Sequence, residues 1–394
     1  MAYILPQNVK HILSTFERKG FSAFVVGGAV RSMLMGAPVK DWDIVTTAPP
    51  ETTKLLFKKH VTTGEAYGTI TVLLDGGAYE VTSARSEGNY ADNRHPYEVD
   101  FGKKIEEDLA RRDFTMNAIA YDGMFFTDPY GGTQDIENKI IRCVGTAAER
   151  FEEDALRILR AFRFAATLGF AIEEETLKAA TLCAPSLRHI SKERVRNELQ
   201  KILFSNAPSA VEPLVTAGGL ASFGISGIKR KHFFFASINH IPANMLLRWW
   251  AFAKITNTNI EVLCHSMQFS KSFMQAMLYT EKMFRDLQPT TLKQMKYFLK
   301  NGTPAVAKDL FKAFATLDKK YEQQLSLVYE LESNKEPYKK SMLAVSGGDL
   351  FAHGIQGKRV GKTLNFLVDT VIETPKLNKY GVLVEIAKKA SLIL

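Results

Sequence analysis

The sequence predicts an α+β chain in which a mixed-sheet N-terminal part is followed by helices alone. Three observations carry this expectation. Short apolar strands separated by Gly- and Asp-rich turns fill residues 1 to about 145. From about residue 146 onward that texture gives way to long stretches with apolar residues at helical spacing. The 394 residues, 46% of them hydrophobic, exceed what one core holds, so several domains are expected.

Taken in order, Phe24 to Val26 and Asp41 to Thr46 read as strands. Thr69 to Leu74 and Ala78 to Ala84 flank Asp75-Gly76-Gly77, a hairpin turn signal, and a second hairpin surrounds Asp122-Gly123. Clusters of Gly, Pro and Asn punctuate the chain near Gly145, near Asn206 to Pro208 and around Asn301 to Pro304. They divide it into residues 1–145, 146–206, 207–302 and 303–394.

A formal net charge of +9 favours a polyanionic partner such as nucleic acid or an acidic membrane surface. Cys143, Cys183 and Cys264 are odd in number and scattered, which argues against a disulfide framework or a zinc site and fits a reducing cytoplasm. No apolar run reaches the ~20 residues needed to span a bilayer, and the first ten residues lack a leader pattern. The expectation is a soluble, cytoplasmic protein with no membrane partner.

Chemistry concentrates first in Phe24 to Arg31, which reads as strand, glycine turn and helix start, followed by Asp41-Trp42-Asp43. On a strand, residues i and i+2 share a side, so Asp41 and Asp43 present two carboxylates to one face while Trp42 and Ile44 point away. Oxygen-rich pairs of this kind suit Mg²⁺, and Glu80 on the hairpin strand is the candidate third carboxylate. Gly27-Gly28 lets backbone N–H groups approach a triphosphate without a Cβ in the way, and the helix start adds favourable partial charge. A lone Asp-x-Asp is usually a solvated turn; the adjoining glycine turn and Arg31 favour the site.

The run GGAVRSMLMGAPVKDWDIVT resembles the first motif of the DNA polymerase β nucleotidyltransferase superfamily. The motifs that follow narrow the resemblance to the class II, eubacterial-type tRNA nucleotidyltransferases and poly(A) polymerases. It implies a polymerase-β-type nucleotidyltransferase head (1–145), then an all-α neck (146–206), body (207–302) and tail (303–394). It also implies that Asp41 and Asp43 ligate metal in a two-metal site, and that Gly28 and Arg31 touch the incoming nucleotide. Glu107 to Ala118 is similar to the family's RRDFTxNA motif, which implies Arg112 as a triphosphate ligand. An Arg fork suits phosphate oxygens, and Asp113 with Asn117 could fix it; an Arg/Asp-laced helix surface is the plain alternative.

Phe151 to Arg163 is the most informative stretch. As one helix it places Phe151, Ala155, Ile158, Leu159, Phe162 and Ala166 on a core face, while Asp154, Arg157, Arg160 and Arg163 spiral across the other side with Asp154 and Arg157 as neighbours. A plain i, i+3 ion pair is worth only a few tenths of a kcal/mol. The functional alternative is base recognition: cytosine and adenine both offer an amino donor beside a ring-nitrogen acceptor, which uracil and guanine reverse. A carboxylate beside an Arg therefore accepts C and A. The stretch resembles the family's EDxxRxxRAxRF motif, which implies that Asp154 and Arg157 read the base, with Arg160 and Arg163 beside the nucleotide.

The polar stretch Arg85 to Pro96 resembles the family's flexible loop, whose full length accompanies A addition. Ser346-Gly347-Gly348 and Gly361-Lys362-Thr363 do not make a P-loop, because Gln356 stands where a Gly is needed. That run resembles the tail of Bacillus-type enzymes, with Lys358, Arg359 and Lys362 toward tRNA phosphates; a helix–helix connector with no ligand is the alternative. Lys229 to Phe235 reads as an RNA patch or a charged helix end; Trp249 and Trp250 read as core. The resemblance implies template-independent addition of C, C and A to tRNA from CTP and ATP with Mg²⁺, and leaves a homodimer open. A poly(A) polymerase, an enzyme adding only CC or only A, and a non-catalytic RNA-binding module are the alternatives.

Overall fold

The structure, a computed structural model, describes residues 3–87, 99–101, 104–225, 227–228, 235–286, 289–300 and 304–393. Most of the polar loop up to Pro96 and the run Lys229 to Phe234 therefore lie outside the described residues. The chain divides into two compact units, Met1–Lys229 with Thr256–Gln268, and Arg230–Ile255 with Phe269–Leu394.

The first unit opens with α1 (Gln7–Glu17), β1 (Ala23–Val26), α2 (Gly28–Leu34), β2 (Asp43–Thr46), α3 (Pro50–Leu56), β3 (His60–Val61), β4 (Thr69–Leu74) and β5 (Gly77–Ser83). The short pair β6 (Arg85–Glu87) and β7 (Val99–Phe101) precedes α4 (Ile105–Ala110), β8 (Ala120–Tyr121), β9 (Phe126–Thr127), α5 (Gly132–Glu137) and β10 (Ile140–Ile141). Seven strands form one mixed sheet in the order β3-β4-β5-β2-β1-β8-β9, with β2 and β5 parallel and the other pairs antiparallel. Both predicted hairpins are present. One sheet face packs Val26, Val45, Ala84 and Ala120 against Ile105 and Leu109 of α4, burying an apolar cluster that holds the RRDF segment in place.

Helices follow, as expected: α6 (Ala147–Glu153), α7 (Leu156–Leu168), α8 (Glu174–Leu182) and α9 (Lys192–Leu203). The exception is β11 (Ala171–Ile172), which pairs in parallel with β10. In α7, Ile158, Leu159, Phe162 and Ala166 are buried, as the helical spacing required.

Gly132 shows how tightly this framework fits. Asp128 accepts the backbone N–H groups of Gly132 and Thr133 at 2.7 and 2.8 Å, capping α5. A Cβ on Gly132 would sit 2.1 Å from the carbonyl oxygen of Thr115, a backbone atom that cannot swing aside. Gly132→Ala is expected to destabilise the protein by about 3 kcal/mol or more, read from urea unfolding, because it over-packs backbone on backbone. Unchanged stability would mean that α5 shifts freely.

The second unit is helical throughout its described residues and is built around aromatic side chains. Trp249, Trp250, Phe252, Phe311, Phe314 and Tyr321 are all but fully buried, so the two tryptophans are core. Trp250 lies 5.0 Å from Phe284 and 5.1 Å from Phe314, ring centre to ring centre. Toward the C-terminus, Val345, Leu350, Ile355, Leu367, Val371 and Leu383 form a further apolar cluster. Ser346 and Asp349 make a capping box at the start of the helix Gly347–Ala352, a helical context without the strand that a P-loop requires. Among the described residues no helix is long and apolar enough to cross a membrane.

Candidate functional site

A cavity of about 480 Å³ lies in the first unit between the sheet, the RRDF segment and α7. Its wall includes Gly27, Gly28, Arg31, Asp43, Arg112, Asp154, Arg157, Arg160 and Arg163, nine of the residues singled out from sequence. Asp41 and Glu80 are not part of the wall.

The carboxylate corner departs from expectation in one respect. β2 begins at Asp43, so Asp41 precedes the strand, is exposed, and is not fixed by an i, i+2 alternation. The reason lies in the pairing: β1 reaches only from Thr46 to Ile44 along β2, and β5 extends it only as far as Asp43. That second pairing sets Asp43 directly beside Glu80 in a parallel register, so the two carboxylates share a face. Burial, then the charge of Glu80 and of Asp41, raises the Asp43 carboxyl above its usual range, against the pull of Arg112. A carboxylate raised in this way by its acidic neighbours suits a divalent cation. Among the described residues no three His, Cys, Asp or Glu side chains converge closely enough to enclose an ion, so the carboxylates do not form a closed cage. Gly27 sits between this corner and the arginines at φ +64°; a Cβ there would lie 3.2 Å from Arg112 Nη1 and 3.8 Å from Asp43 Oδ2.

The arginine wall is held by acids from behind. Asp108, fully buried on α4, accepts from Arg112 Nη2 at 2.9 Å and Nε at 3.2 Å, and from Arg111 Nε at 3.0 Å. Burial opposes its ionisation, but the charges of Arg112 and Arg111 outweigh it and keep the carboxyl below its usual range. Asp113 accepts Asn117 Nδ2 at 2.9 Å on one oxygen, and Arg160 Nε at 2.8 Å and Nη2 at 2.6 Å on the other. Asn117 in turn accepts from Arg31 Nη1. Asp113 thus fixes Arg160, and Asp108 fixes Arg112.

Burial works against the Asp113 carboxylate, yet the charge of Arg160 and the hydrogen bonds from Asn117 and Arg160 hold it at about 2. The sign follows from linkage. A folded-state value below the unfolded one gives stability that is complete above about pH 4 and lost as the pH falls toward about 2. Asp113→Asn is expected to cost on the order of 2 kcal/mol at neutral pH and to flatten the acid limb of the stability profile. Parallel wild-type and variant profiles would contradict this.

The helix expected across Phe151 to Arg163 is broken. α6 ends at Glu153, Asp154 is extended (φ −144°, ψ 102°), and α7 starts at Leu156. The break frees the Asp154 side chain from a helical surface: Oδ1 accepts the Leu156 N–H at 3.0 Å and Oδ2 accepts Arg194 Nη2 at 3.0 Å. Arg157 is turned inward and donates to Glu153 Oε2 at 2.6 Å and to the carbonyl of Arg111 at 2.9 Å. The two residues face one cavity, although the helical geometry that predicted it does not hold. Arg163 donates to Glu198 Oε2 at 2.6 Å.

Sequence reading did not single out Asp108, Phe164, Arg194 or Glu198 as site residues. Arg194 lines the cavity, and Glu198, one turn away on α9, backs Arg163; they lie 40 and 35 residues downstream of their partners, distances at which no local pattern signals contact.

The chain is similar to known proteins along most of its length. Residues 23–142 match the Poly A polymerase head domain family, and residues 169–222 match the family described as a probable RNA and SrmB-binding site of polymerase A. Over 274 residues the chain is 40% identical to the CCA-adding enzyme of Geobacillus thermodenitrificans (strain NG80-2); the stretch covers 68% of this chain and 66% of that enzyme, just under two thirds of its length. The CCA-adding enzyme of Leuconostoc mesenteroides subsp. mesenteroides is 34% identical over 98% of this chain and 97% of its own. The crystal structure of the Bacillus stearothermophilus CCA-adding enzyme in complex with CTP is similar, with a TM-score of 0.71 at 29% identity, covering 99% of this chain and 100% of that one.

Proposed function

Because the chain belongs to the family of CCA-adding enzymes, we propose that it adds C, C and A to the 3′ end of tRNA from CTP and ATP, releasing pyrophosphate. The observation that carries the reading is one cavity whose wall holds Asp43, the pair Asp154 and Arg157, and anchored arginines. Its volume of about 480 Å³ is that of a small-ligand site.

Enzymes of this family depend on a metal ion. Asp41 and Asp43 would hold Mg²⁺, with Glu80 beside them, and the ion would supply positive charge at the attacking and leaving oxygens. The chain's own residues do the rest. Arg112, locked by Asp108, and Arg31 bind the phosphates, while Gly27 and Gly28 let the backbone approach them. Arg160 and Arg163 neutralise the charge that builds as the tRNA 3′ oxygen bonds to the α-phosphorus and the bond to the leaving pyrophosphate breaks. Asp154 accepts from the amino group of cytosine or adenine, and Arg157 donates to the adjacent ring nitrogen. A uracil or guanine would set like against like, leaving buried polar groups unpaired.

The proposal includes a head over residues 1–145, a base-reading neck over 146–206, and a body over 207–302 and tail over 303–394 that hold tRNA by shape and backbone charge. A cytoplasmic setting goes with it. The test is incubation with Mg²⁺, CTP, ATP or both, and RNAs ending before the first C, after CC, or lacking a tRNA fold, with products resolved to single nucleotides. Stepwise C, C, A addition confined to tRNA is expected. Long A tails on any RNA would make the chain a poly(A) polymerase, and partial addition an enzyme for CC or A alone.

A further inference from the structure

We propose that Phe164 is a positioning residue whose ring face gathers Arg31, Arg160 and Arg163 into a preformed cradle for the polyphosphate of the incoming nucleotide. The inference rests on the nucleotide-site reading above and deepens it. Phe164 is 4% exposed, lies in the cavity wall, and meets Phe114 edge-on at 5.7 Å and 87°. Three guanidinium carbons crowd its ring centre, that of Arg163 at 3.8 Å, Arg31 at 4.9 Å and Arg160 at 5.6 Å.

Like charges do not assemble in a half-buried pocket without something that favours them there. Arg160 has Asp113 and Arg163 has Glu198, but among the described residues Arg31 is paired only with the neutral amide of Asn117. Its Nε is buried with no hydrogen-bond partner among them. Burial and the neighbouring charges of Arg163 and Arg160 pull Arg31 down to about 10, against the help of Asp113. The site is therefore electrostatically frustrated at Arg31, and the aromatic face is the attractive surface that offsets the repulsion. A polyphosphate supplies the missing anion: its oxygens can take the unpaired Nε donor and the charge the three arginines share.

An aliphatic side chain of similar bulk would still pack on Phe114 but has no negative ring face. This separates positioning from packing. The measurements are KM and kcat for CTP addition to tRNA lacking CCA, the CTP-over-UTP preference, the Kd for inorganic tripolyphosphate by titration calorimetry, and Tm. The proteins are wild type, Phe164→Leu, Phe164→Tyr, and a series carrying progressively fluorinated phenylalanine at position 164.

Phe164→Leu is expected to raise both KM and the tripolyphosphate Kd by about tenfold, the size of a desolvated cation–π contact. Base preference should be unchanged, and Phe164→Tyr should recover most of the loss. Weakening should rise stepwise with fluorination, which drains the ring face while keeping its shape. A Leu protein with normal tripolyphosphate affinity, or losses that follow Tm and stay flat across the fluorinated series, would overturn the proposal. If Phe164→Leu does not fold, the fluorinated series decides alone. Wild-type protein that binds tripolyphosphate but never extends tRNA would sink the CCA-adding reading and leave the cradle standing.

Discussion

Asp43→Ala is expected to lower nucleotide addition by about 10³-fold or more while tRNA binding stays within a few-fold of wild type. Asp43 is the acid that both lines the cavity and lies in register with Glu80, so its removal empties the corner where Mg²⁺ would sit. Stability offers a built-in control. The deleted charge faces Glu80 and Asp41, which disfavour it, so thermal unfolding without divalent ions is expected at an unchanged or higher temperature. Lost activity with a lower Tm would point instead to collapse of the strand start. Activity that survives would remove Asp43 from the chemistry.

Asp154→Asn is expected to erase most of the preference for CTP over UTP, a ratio that hydrogen-bonded sites hold at roughly 10⁴. The amide nearly preserves the shape of the carboxylate, but it can turn either a donor or an acceptor toward the base. Uracil, which presents an acceptor where cytosine presents a donor, would then be tolerated. The expected readout is kcat/KM for each of the four nucleotides on tRNA ending before the first C, with the ratio narrowing by about 10²-fold. Equal losses for CTP and UTP, with the ratio intact, would mean that Asp154 supports the fold of the neck and does not read the base. The helix break at Asp154 favours base reading, because it lets both oxygens be anchored, one by the Leu156 N–H and one by Arg194, with the side chain still in the cavity wall.

Much of this was legible in the residues themselves. The turn Asp75-Gly76-Gly77 and the alternation around it announced β4 and β5, because hairpin geometry depends on a few residues in sequence. The buried side of α7 followed from helical spacing, which is again local. Local reasoning failed at two places. The start of β2 depends on the length of its neighbours β1 and β5, which leaves Asp41 outside the strand, and the helix breaks at Asp154 although the composition of the run is helical throughout.

The sequence by itself determined the α+β order, most of the cavity's arginines with Asp43 and Asp154, and the family to which they belong, since each rests on residue types at short spacing. Only the tertiary structure decided which acid serves which arginine. Asp108 on Arg112, Asp113 on Arg160, Glu198 on Arg163 and Arg194 on Asp154 are pairings across 4 to 47 positions of chain. Phe164, a buried ring that spacing alone marks as ordinary core, became part of the site only when folding brought Arg31 of α2 to it. Long-range electrostatic partnership carries no periodic signature along a chain, because it depends on the packing that places charges within a few ångströms of one another.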